Sequence, residues 1–116
     1  MTLPPDPAGV EYVRRVLDAY RHTPGTTGHL RPADRRLARQ LLAGDVSIQT
    51  VGDALLLASV RRFLKATPAS PPPTVRSFAY FLPVIEELAL QPLPDGYRRH
   101  LAGHLARALA RLAPAL

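Results

Sequence analysis

A proline inside a helix removes a backbone donor and clashes with the carbonyl four residues earlier. Thirteen prolines in 116 residues therefore divide this chain into short elements. Between them, apolar residues recur at three- and four-residue steps, the spacing of one helix face. There is no alternating strand pattern and no internal repeat. These features predict an all-α fold, a compact bundle of about five helices in a single domain over residues 1–116. Residues 1–6 read as an extended N-terminus. The proline-rich stretch 67–74 reads as a stiff connector inside the domain, too short to separate two domains.

Asp6 is placed to cap a first helix, with Pro7 at its first position. Val10, Val13, Val16, Leu17 and Tyr20 form its apolar face. The spacings Glu11 to Arg15 and Arg14 to Asp18 suggest paired charges on its solvent side. Pro32 opens a second helix with Asp34 in its first turn, where a carboxylate suits the helix dipole. Leu37, Ala38, Leu41 and Leu42 face inward, and Gly44 is expected to end the helix with a positive φ. Ser47 is a good cap for a third helix over about 48–66. That helix is apolar almost all round (Val51, Leu55, Leu56, Leu57, Val60, Phe63, Leu64), so it is expected to be the central element. Ser77 is expected to cap a fourth helix over 78–90, which Pro83 should kink or split near Leu82. Asp95 is expected to cap a fifth, from 96 to about 113.

Cysteine is absent, which excludes disulfides, thiolate nucleophiles and Cys-based zinc sites. The N-terminal residues show neither a basic start nor an apolar signal core, and no apolar run is long enough to span a membrane. A cytoplasmic protein without membrane contact is the expectation. Fifteen Lys and Arg against nine Asp and Glu give a formal charge of +6, which favours an anionic partner. Because all the cations but Lys65 are Arg, a compositional bias would produce the same total. The positions of the charges must therefore decide.

Arg35, Arg36 and Arg39 fall within about 100° of arc on the second helix, with Arg31 just before it. No acid is spaced four residues from Arg35 or Arg36 to neutralise them. His100, His104, Arg107 and Arg111 fall within roughly 60° on the fifth helix, beside an apolar stripe that begins at Tyr97. Both arrays are suited to phosphate, for which Arg is the bidentate partner.

Spacing assembles no nucleophile, base and orienting group. Glu86 and Glu87 are neighbours and point about 100° apart. The loop His22–His29 has glycines but lacks the Lys-Ser/Thr of a phosphate-binding loop. His100 and His104 can reach a metal from one helix face, but no acid or Cys supplies a third ligand. They are expected to be a surface pair, and no cofactor is expected. The turn between helices two and three has the form of a helix-turn-helix. Its second helix, however, is Leu-Leu-Leu-Ala where a reading helix needs polar side chains.

The segment Gly44-Asp-Val-Ser-Ile-Gln-Thr-Val-Gly-Asp-Ala-Leu55, followed by Val75-Arg-Ser-Phe-Ala-Tyr-Phe-Leu-Pro-Val-Ile-Glu-Glu-Leu88, resembles the helical C-terminal domain of DnaD-like primosome and replication-initiator proteins. The resemblance covers about residues 33–90. It implies single-stranded DNA binding around a Tyr-containing helix, with Tyr80 at the matching position and Val84 where the family has Ile. Leu88 stands near where the family tends to have Trp, and Pro83 departs from the family helix. The chain also resembles helical proteins encoded near bacterial mobile elements.

The reading that follows is a non-catalytic nucleic-acid-binding accessory protein, in a replication, transposition or ribonucleoprotein context. Arg31, Arg35, Arg36, Arg39, His100, His104, Arg107 and Arg111 would lie along phosphates, with Tyr80 or Tyr97 stacking on an unpaired base of DNA or RNA. The alternative is a protein-interaction adaptor or homodimer, using the Ala102, Ala106, Ala110 face or the Phe78, Phe81, Leu82 region.

Overall fold

The computed structural model describes residues 6–115. Among them are five α-helices: α1 (Pro7–Arg21), α2 (Pro32–Ala43), α3 (Ile48–Lys65), α4 (Leu82–Leu90) and α5 (Tyr97–Leu112). Two 3-10 turns occur at Phe78–Phe81 and Ala113–Ala115, and no strand is present among these residues. Of the extended segment 1–6, all but Asp6 lies outside the described residues.

Ser47 starts α3 as its type and position predict, its hydroxyl accepting from the Thr50 N–H at 3.0 Å. Val51, Ala54, Leu55, Ala58, Val60 and Phe63 are all buried, on more than one side of this helix. It packs against α1, α4, α5 and the first 3-10 turn, and so is the central element. The larger core joins α1, α2, the turn and α4 around the N-terminal part of α3, with Tyr20, Phe78 and Phe81 as its aromatic centre. A smaller core joins Phe63 and Ala66 to Ala108 and Leu112 of α5. Leu55→Ala should therefore cost about 2–5 kcal/mol in a urea titration, and the half-exposed Leu56→Ala less. A loss below about 1 kcal/mol at Leu55 would remove α3 from the centre.

Several local expectations need correction. Gly44 does end α2, but with φ −88°. The left-handed residue is Asp45, at φ 57°. The Asp45 N–H donates to the Leu42 carbonyl and the Val46 N–H to the Leu41 carbonyl, each at 3.0 Å. Together they close a Schellman motif one residue later than the glycine suggests. Ser77 makes no capping bond. The Phe78 N–H is instead taken by the carboxylate of Asp34 at 3.0 Å. Asp95 does not cap α5. Gly96, at φ 78°, is the N-cap and turns the chain between Asp95 and the first helical residue. On α1, Arg14 rather than Arg15 meets Glu11, and Asp18 is shared by Arg14 and Arg21. Val10, on the first turn at the edge of the apolar arc, is exposed.

Pro83 acts as anticipated. It stands in the first turn of α4, and the four residues before Leu82 tighten into a 3-10 turn. The connector is also fastened. The Val75 N–H donates to the Gly25 carbonyl at 2.8 Å and the Thr27 N–H to the Val75 carbonyl at 3.1 Å. Gly25 is required here, because φ is 81° and an added Cβ would lie 2.9 Å from the Arg62 guanidinium.

Candidate nucleic-acid interface

Helix α2 has two opposed faces. Asp34, Leu37, Ala38 and Leu41 are buried, while Arg35, Arg36 and Arg39 are exposed. The single acid of this helix, Asp34, is only 2% exposed. One of its oxygens accepts the Arg31 N–H at 2.8 Å and the other the Phe78 N–H at 3.0 Å. Both are engaged by backbone, and among the described residues neither forms an ion pair with a neighbouring guanidinium. The acids that do pair with arginine lie elsewhere. Glu11 and Asp18 pair within α1, Glu87 with Arg61 and Asp53 with Arg98. These bonds hold the Glu11 and Glu87 carboxyls below the usual range, chiefly through the hydrogen bond each accepts from its arginine. Among the described residues, Arg31, Arg35, Arg36 and Arg39 make no ion pair.

The Asp34–Phe78 bond also positions Tyr80. It ties the 3-10 turn to the first turn of α2, and Tyr80 follows two residues later. The residue is 53% exposed, and its ring stands nearly perpendicular to Phe81 with the Arg62 guanidinium 5.6 Å from its centroid. Arg76, two residues before Phe78, is exposed, and no spacing rule distinguishes it. Arg62 likewise escapes a sequence reading. It donates to the Pro73 carbonyl and leaves Nη1 buried without a hydrogen-bond partner among the described residues.

The fifth-helix array is not joined to this site. Helix α5 packs on α3, and α2 on α1 and the 3-10 turn. Arg111, though exposed, donates to the Ala66 and Phe63 carbonyls at 3.1 and 3.3 Å, closing the C-terminus of α3. Arg107 is exposed. His100 and His104 face each other, and Tyr97 lies tilted against His100 with ring centroids 5.4 Å apart. The structure places Arg35, Arg36 and Arg39 on one exposed face of α2 with Arg31 exposed just before it, and ties the turn of Tyr80 to the same helix through Asp34. It keeps Tyr97, His100, His104, Arg107 and Arg111 on another helix.

Of the surfaces considered for protein contact, Phe78 and Phe81 are wholly buried and present nothing to a partner. Ala102, Ala106 and Ala110 are exposed. Among the described residues no helix is long and apolar enough to cross a membrane. No protein-family model, curated protein or solved structure matches the chain.

Proposed function

We propose that this chain is a non-catalytic accessory domain that binds nucleic acid through the solvent face of α2. The observation that carries the reading is charge without compensation. Three arginines share that face, and the helix's one carboxylate is buried on the other side and occupied by backbone N–H groups. Guanidinium groups left unpaired on an exposed helix are the footprint of phosphate contact. Arg31 and Arg76 are exposed beside α2 and the turn in sequence, and the half-exposed Tyr80 ring offers a stacking platform for an unpaired base. The resemblance of residues 33–90 to DnaD-like domains points in the same direction.

The test is fluorescence anisotropy of labelled single- and double-stranded oligonucleotides titrated with the full chain across a range of salt. Binding should weaken linearly in log affinity against log salt, because each phosphate contact releases counterions. Absence of salt-sensitive binding to either form would sink the reading. It would also give the lead to a protein partner docking on the exposed alanine face of α5.

A further inference from the structure

The two histidines of α5 meet on one side of the helix. Their Nε2 atoms are 3.0 Å apart, and the rings stand edge to face with centroids 4.4 Å apart. His100 is exposed and His104 half-buried, so the pair is open to solvent. Metal–imidazole bonds run about 2.0–2.1 Å, and two nitrogens 3.0 Å apart then subtend about 91–97° at the ion. That is the cis angle of tetragonal or octahedral coordination. A tetrahedral ion needs the nitrogens about 3.3–3.4 Å apart.

We propose that His100 and His104 form a two-point chelate for a divalent transition metal that prefers cis right angles, Cu²⁺ or Ni²⁺. The inference does not rest on nucleic-acid binding. The spacing of the two residues only permits such a site. The 3.0 Å approach of the two Nε2 atoms carries it, since one ion is then within reach of both rings. Among the described residues no third His, Cys, Asp or Glu joins the pair, so the remaining positions fall to water or an outside ligand. Without metal, one Nε2–H donates to the other Nε2. On binding, the donor ring carries its proton on Nδ1 instead, both Nε2 lone pairs face the ion, and no proton is lost from the neutral pair.

The experiment is a calorimetric titration of NiCl₂ into the tag-free full chain in a non-coordinating buffer, repeated with CuCl₂ and followed by visible absorption. A single saturable site is expected. His100→Ala and His104→Ala should each weaken binding about 10²-fold, because the second nitrogen is then no longer supplied at high effective concentration. His22→Ala and His29→Ala should leave it unchanged. Circular dichroism of the α5 variants should match the parent, since neither ring belongs to the core. Cu²⁺ should also quench tyrosine emission through Tyr97, whose ring lies against His100, and Tyr97→Phe should reduce that quench. Absence of a saturable site, or parental affinity in either α5 histidine variant, overturns the proposal.

Discussion

Replacing Arg35, Arg36 and Arg39 together by Ala should lower the slope of log affinity against log salt by about 2–3 units, at 0.7–0.9 per phosphate contact. Referred to 1 M salt, where the electrostatic contribution vanishes, the same change weakens binding at 0.1 M by about 10²–10³-fold. The fold should survive. All three side chains are exposed and bond to nothing else among the described residues, and Ala is the best helix former. Sequence preference should barely move, because phosphate contacts fix position without reading bases. The control is Arg14, Arg21 and Arg61, each paired to a carboxylate. Replacing those three removes the same formal charge but should alter the slope far less, since pairing already offsets their field at a phosphate. Equal losses from the two triple variants would mean that binding responds to net charge alone. An unchanged slope in the α2 variant would place the contact surface elsewhere, with Arg107 the next residue to replace.

Arg61, the third member of that control, could not have been chosen from the sequence. Periodicity made the helices legible. An uninterrupted apolar run with a Ser cap identified α3 as central, and Pro83 marked the break before α4. Both signals act within a few residues. The same holds for the two faces of α2, so the exposed arginine triad was also legible. The Arg14–Asp18 pair was legible too, from its four-residue spacing, but the pairs made across the fold were not. Glu87 lies 26 residues from Arg61, and Asp53 lies 45 from Arg98. No spacing rule connects residues that only packing brings together. Arg111 shows the converse. Its helix face matches that of Arg107, yet the C-terminus of α3 lies within its reach and takes its donors. Caps failed by one residue for a related reason. Asp and Gly adjoin at both 44–45 and 95–96, and which of the two adopts the left-handed conformation is set by the onward path of the chain rather than by propensity alone.

Asp34→Ala should be the most destabilising single change outside the apolar core, at about 3–6 kcal/mol from two charge-assisted bonds of roughly 1.5–3 each. The carboxylate sits where three elements meet. It closes the first turn of α2 through the Arg31 N–H and receives the Phe78 N–H from the 3-10 turn. It also lies close enough to Tyr20 for its charge to reinforce burial in pushing that hydroxyl's pKa up. Removing it leaves two backbone donors without acceptors, one of them buried. Asp34→Asn separates the contributions. A carboxamide keeps the shape and one acceptor oxygen, but turns an NH₂ toward one of the two N–H donors. It should therefore lose about half as much as Ala, offset in part by no longer burying a charge. Urea titration gives the magnitudes, and amide hydrogen exchange shows where they act. Exchange at Phe78 and Arg31 should accelerate more than at Leu55, because the bonds lost are those that hold α2 to the turn of Tyr80. A cost below about 1 kcal/mol for Asp34→Ala, less than a single such bond, would show that packing of Leu37, Ala38 and Leu41 positions α2 without the carboxylate. If the larger cost is found, one buried acid fixes the arginine face in place while forming no ion pair with it.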